Sequence, residues 1–163
     1  AVSELEKLLP DRIRQRIIGD LSLAVEATPK EVLAATMRVG HEFERAVELE
    51  LVERLLTAAQ KRQQAVVGLA ATVQAVNEGR VMTLVYADGQ HPAGSECTAC
   101  HYLSGTPGER CPYCDGETAH IADLVEVLAV EVVRNGGRLE HIAGEAALRL
   151  ENEARGIGAF LRF

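Results

Sequence analysis

All four cysteines of this 163-residue chain fall in two C-x2-C pairs, Cys97/Cys100 and Cys111/Cys114, separated by ten residues. Each pair can set two thiolates on one tight turn. A ten-residue connection suffices for a small hairpin that closes both turns around a tetrahedral Zn2+, with Zn–S near ~2.3 Å. The surrounding stretch, HPAGSECTACHYLSGTPGERCPYCDGETAH from His91 to His120, is rich in Gly, Pro and Ser and almost free of apolar residues. It cannot fold by burial, so a metal is expected to hold it as a small ribbon projecting from the rest of the domain. Four thiolates fill the coordination sphere and leave no position for water, which makes the expected zinc structural. Pro112 stiffens the second turn, and Asp115-Gly116 tolerate positive φ after its second ligand; His101 takes that place in the first.

Other chemistries fit parts of the pattern. A disulfide within each pair needs an oxidising compartment and suits redox enzymes of a different fold. Cys97-Thr98-Ala99-Cys100-His101 matches the C-x-x-C-H haem-attachment pattern, but that leaves Cys111 and Cys114 without a role and comes with no haem pocket. His91, His101 and His120 are candidate outer or replacement ligands, or solvated loop residues.

With 47% apolar and 25% charged residues the composition is globular, and no apolar run approaches the ~20 residues of a membrane span. A cytoplasmic protein without a membrane partner is expected. The opening AVSELEKLLPDRIRQR is charged, lacks a signal peptide's apolar stretch and does not start with Met, so it reads as a cut end with more chain upstream. From residue 64 onward there are 7 basic and 13 acidic side chains and no Lys, a net of −6 within the chain's total of −7. That balance disfavours DNA or non-specific RNA as a partner through this half and favours protein. Aromatic residues, at 4%, are too few for a base-stacking platform.

Periodicity divides the chain into alternating elements. Leu5 to Ile18 is a helical stripe interrupted at Pro10, and Asp20 to Val25 alternates as a strand does. Thr28-Pro29-Lys30-Glu31 is an N-cap with Pro at the first helical position, opening one long helix to Gln60 with Gly40 as its weak point. Ala65–Gly68 reads as a buried strand, Leu69–Asn77 as a helix closed at Gly79, and VMTLVY from Val81 to Tyr86 as the clearest strand. After the cysteines, Ile121–Arg134 is helical and ends at Asn135-Gly136-Gly137. Arg138–Ile142 is a strand, Glu145–Glu153 a helix and Ile157–Phe163 a closing strand. Strands alternating with helices predict a largely parallel sheet covered on both faces. Gly136-Gly137 is a helix stop, Asp88-Gly89-Gln90 a turn, and His41 and His141 stand without nucleophile or acid partners, so no catalytic residue is expected and the chain reads as a non-enzyme.

The run ELELVERLLTAAQ, then AVVGLAATVQAVNEGRVMTLVYADG, the Cys pairs with CPYC, and the closing LRLENEARGIGAFLRF together resemble the third, C-terminal domain of archaeal and eukaryotic class-1 peptide chain release factors and of Pelota. The Arg-for-Lys bias suggests a bacterial relative. The resemblance implies a three-layer α/β/α sandwich like the kink-turn-binding ribosomal proteins, with a zinc ribbon inserted at 91–118. It assigns 45–163 to this domain and 1–44 to the tail of the preceding middle domain and a connecting helix. It further implies docking to a translational GTPase and the ribosome in translation termination or ribosome rescue, the peptide-releasing Gly-Gly-Gln loop lying outside this region. The alternative is an RNA-binding module that keeps the kink-turn fold and touches rRNA through the ribbon and Arg110. In that case Gly68-Leu69-Ala70-Ala71-Thr72-Val73 lacks the polar and basic residues such RNA binders use.

Overall fold

Pro10 divides the first apolar stripe into α1 (Val2–Leu8) and α2 (Asp11–Arg14). The following segment departs from expectation: 17–24 is irregular, and the Ala27 N–H donates to the Ala24 carbonyl in a turn. Among the described residues no strand offers Asp20–Val25 a ladder, and alternation alone does not make a strand. Thr28 then caps α3 (Pro29–Gln60). The Glu31 carboxylate accepts from the Thr28 N–H at 2.8 Å, and the Thr28 hydroxyl accepts from the Glu31 N–H at 3.4 Å, a reciprocal capping box. Gly40 does not interrupt this helix. The computed structural model describes residues 2–163, which form two compact units, one ending at Val47 and the other spanning Glu48–Phe163.

The second unit is built on a four-stranded sheet. Its elements in chain order are β1 (Ala65–Val67), α4 (Leu69–Asn77), β2 (Val81–Ala87), three ribbon strands β3 (Gly94–Cys97), β4 (Leu103–Ser104) and β5 (Thr118–Ile121), then α5 (Leu124–Arg134), β6 (Arg138–Ile142), α6 (Gly144–Ala154) and β7 (Ile157–Leu161). The strand order is β1-β7-β2-β6. The expected mostly parallel sheet is thereby corrected to a mixed one. β2 and β6 pair in parallel, but β7 pairs antiparallel with both β1 and β2. β1, β2 and β6 do share one direction, as helical crossovers require. The last strand, returning after α6, inserts between β1 and β2 and turns two of the three pairings antiparallel.

Each face of the sheet is covered. On one face α4 and α5 pack Val73, Val76, Leu124, Leu128 and Val132 against Leu84, Ala159 and Leu161. On the other, the C-terminal half of α3 and α6 pack Val52, Leu55 and Leu150 against Val85 and Ile142. Gly158 in β7 has no room for a side chain: a Cβ there would meet the Val66 carbonyl at 2.8 Å and Leu55 Cδ2 at 3.0 Å. Asp123 caps α5 by accepting from the Glu126 N–H, so this helix begins three residues after Ile121, which instead ends β5.

Candidate metal centre

Two turns of the ribbon carry the cysteines, and they repeat one hydrogen-bond pattern. In the first, the His101 N–H donates to the Cys97 carbonyl at 3.0 Å and the Cys97 N–H to the Tyr102 carbonyl at 3.0 Å. In the second, the Asp115 N–H donates to the Cys111 carbonyl at 2.9 Å and the Cys111 N–H to the Gly116 carbonyl at 2.8 Å. His101 and Asp115, each directly after a second cysteine, take the left-handed conformation with φ of 60° and 58°. This is the positive φ that the sequence leads one to expect after each pair, at residues that carry a Cβ.

The fold brings all four predicted ligands together. Their sulfurs lie within 4.8 Å of one another, and Cys97 and Cys111 are buried while the other two lie nearer the surface. Cys97 Sγ stands 3.5 Å from Cys114 Sγ, and Cys100 Sγ stands 3.7 Å from Cys111 and 3.4 Å from Cys114. A disulfide needs about 2.05 Å, and all four are free thiols. A tetrahedron with arms of about 2.3 Å has edges of about 3.8 Å, so the cluster has the size of a four-thiolate metal shell. Backbone N–H groups already point at the sulfurs: Ala99 and Cys100 donate to Cys97 Sγ, and Tyr113 donates to Cys111 Sγ, each at 3.4 Å.

The titration of the sulfurs agrees. The Cys100 N–H foremost, against the opposing effect of burial, brings the Cys97 thiol down to about 6. For Cys100 the Tyr102 N–H pulls down, but burial and the neighbouring Cys114, Cys97 and Cys111 push it up to about 12. One sulfur ionises readily and the next resists, because like charges crowd a small volume. Four thiolates here need a cation at their centre.

None of the candidate histidines joins the cluster. His91 Nδ1 pairs with Asp123 Oδ2 at 2.5 Å, His101 Nδ1 with Glu96 Oε1 at 2.8 Å, and His120 Nδ1 lies 3.3 Å from the Gly94 carbonyl oxygen. Among the described residues the four cysteines are the one metal-ligating group. With both pairs facing one centre, the haem-attachment pattern of Cys97 to His101 has no separate site.

The ribbon does not stand off from the body as expected. Asn77, the last residue of α4, clips it down: its Nδ2 donates to the Leu103 carbonyl at 2.8 Å and its Oδ1 accepts from the Leu103 N–H at 2.9 Å. The Leu103 side chain is buried in the α4/α5 core, and Gly94 lies so close to Leu124 and the Ser104 carbonyl that a Cβ there would stand 2.6–2.8 Å from them. The sequence offers no signal for this clip, since a helix-terminal Asn is ordinarily a solvated cap.

Searches against family profiles and curated proteins return no match by sequence. Solved structures do match. The C-terminal domain of the peptide chain release factor from Methanosarcina mazei superposes with a TM-score of 0.57 at 16% identity, covering 87% of this chain and 98% of that domain. The chain carries the C-terminal domain fold of the release-factor and Pelota family. Archaeal Pelota, in a ribosome-bound complex with ABCE1, shares the release-factor fold at a TM-score of 0.53 and 26% identity, covering 90% of this chain and 35% of Pelota. Dom34 of S. cerevisiae, a translation-termination-like factor that interacts with Hbs1, gives 0.55 at 13% identity, covering 83% and 33%. The chain thus spans nearly all of the release-factor domain and about a third of the two longer factors.

Proposed function

We propose that this is a non-catalytic docking domain of a release-factor-like protein, binding the ribosome and a translational GTPase in translation termination or ribosome rescue. The observation that carries the reading is the near end-to-end superposition on an isolated release-factor C-terminal domain. Relatives of this fold are described as ribosome-bound and as interacting with another protein, and action on ribosomes would place the chain in the cytoplasm. No helix among the described residues is long and apolar enough to cross a membrane.

In this reading Cys97, Cys100, Cys111 and Cys114 hold a structural Zn2+, for which the sulfur spacing has the right size and the crowded thiolates supply the charge. The ion would cross-link the two turns and leave no coordination position for substrate, which supports a binding role over chemistry. The RNA-binding alternative has less support. In the hollow by the start of α4, lined by Val67 to Ala71, Val73 and Gln74 and by Tyr102 to Thr106, Arg155 is the lone basic residue.

Co-sedimentation of the zinc-loaded chain with ribosomes, and its capture of a translational GTPase, test the reading. The chain should pellet with ribosomes at physiological salt. A chain that stays in the supernatant, captures no GTPase and instead binds kink-turn RNA with steep salt dependence would sink it.

A further inference from the structure

Because Asn77 and Leu103 draw the ribbon onto the body, a groove of about 790 Å³ forms where β3 and β4 meet the faces of α4 and α5. Its floor is apolar, with Val76, Leu103, Val127 and Val130, and its rim carries Glu78, Glu96, Glu126 and Glu131, of which Glu78 pairs with Arg80, Glu96 with His101 and Glu131 with Arg134. A second hollow of about 530 Å³ shares Asn77, Glu78 and His101 with the first and ends at Tyr102 and Tyr113. These two rings stack with centroids 5.9 Å apart and an interplanar angle of 7°. Tyr113 is 78% exposed, leaving one aromatic face open to solvent.

We propose that this double hollow docks an arginine-rich segment of a partner protein. The inference rests on the docking reading and names the surface and the chemistry that would serve it. Planar guanidinium is the one cation that suits both halves, since it forks onto carboxylates and stacks on aromatic faces. Two of the groove's carboxylates already hold guanidinium groups: Arg134 Nη1 meets Glu131 Oε1 at 2.5 Å, and Arg80 pairs with Glu78. Such solvated pairs are individually weak and exchange readily with an incoming arginine. Among the described residues the Glu126 carboxylate has no hydrogen bond or ion pair to give up. Nucleic acid is repelled by the same rim, and the −6 balance of this half of the chain steers a basic partner toward it. A lysine ammonium would gain the charge but not the fork or the stack, so the groove should prefer arginine.

The test uses the zinc-loaded chain and fluorescence anisotropy of a short fluorescein-labelled peptide alternating Arg and Leu, with its Lys counterpart as comparison. Glu78→Gln with Glu126→Gln should weaken the Arg peptide about tenfold, and Tyr113→Ala about threefold. Glu140→Gln with Glu145→Gln, the same charge change on exposed residues outside the groove, should leave it unaltered. Equal loss in that control pair, equal affinity for the Lys peptide, or displacement by a single-stranded RNA oligonucleotide overturns the proposal. Zinc content and circular dichroism establish that each variant is folded. If groove variants bind the peptide normally while the chain still pellets with ribosomes, the groove assignment falls and the docking reading stands. If the variants lose the peptide as expected but the chain never associates with ribosomes, the converse holds.

Discussion

Replacing Asn77 with Ala should loosen the ribbon without unfolding the body. The side chain makes both a donor and an acceptor bond to the backbone of Leu103, at 2.8 and 2.9 Å. Each is worth roughly 1 kcal/mol net, because the half-buried peptide groups lose their partners and regain little from water. The pair therefore comes to about 2 kcal/mol, or about a 30-fold increase in the population with β4 detached. Native-state hydrogen exchange followed by NMR reads this directly. The Leu103 amide, and those of Cys97 and Thr98 that donate to Tyr102 and Glu117, should exchange about 30-fold faster, while Leu84 and Ala159 in the sheet should not change. Asn77→Asp keeps the acceptor but sets a carboxylate against the Leu103 carbonyl, and should loosen the ribbon at least as much. Unchanged exchange at Leu103 in Asn77→Ala would refute the reasoning. So would an equal acceleration across β2 and β7, which would make Asn77 a support of the whole body.

Three further outcomes are expected. The purified chain should contain one zinc per molecule by elemental analysis, and Cys111→Ser or prolonged chelation should remove both the metal and the exchange protection of 94–121 while β2, β6 and β7 stay protected. Gly158→Ala places a Cβ 2.8 Å from the Val66 carbonyl, so β1 and β7 must separate, and the urea midpoint should fall by the equivalent of about 1–3 kcal/mol; an unchanged midpoint contradicts the packing described. Burial raises Asp123, but hydrogen bonds from His91 and the Glu126 N–H outweigh it and hold the carboxyl below its ordinary value of 3.8. Its folded value is the lower one, so its contribution to stability is present above about pH 4 and is lost as pH falls through that folded value. Asp123→Asn should then lose less stability than wild type between about pH 5 and about pH 3 in urea titrations, and identical losses would discount the pair.

Elements set by neighbouring residues are legible in the sequence. Thr28 and Glu31 announce the start of α3, Leu69–Asn77 coincides with α4, and Arg138–Ile142 with β6. The convergence of the four cysteines was equally legible, because two identical pairs ten residues apart admit few geometries. What escaped depends on distant residues. Nothing local distinguishes a strand that extends an edge from one that enters the centre, and β7 entering between β1 and β2 is settled by which apolar faces meet after the chain has closed. The strands β3 to β5, between two and four residues long, are too short to show a period. Asp20–Val25 shows the reverse case, a strand-like pattern with no partner. The groove, too, exists because Asn77 and Leu103 meet 26 residues apart in sequence.

Gly94 and Ile121 face each other as ladder partners at the ribbon's base, and the Leu124 N–H donates to the Pro92 carbonyl at 2.9 Å just below them. The chain therefore leaves the body and returns to it through neighbouring points, tied together beneath the cysteine cluster. The sheet and its helices can accordingly assemble first, with the cysteine turns left to be completed by a metal that binds afterwards. Joining Pro92 to Asp123 directly would keep this tie but strip Leu103 and Ile121 from the α4/α5 core, so the base of the ribbon belongs to the body and only its cysteine turns wait on a metal.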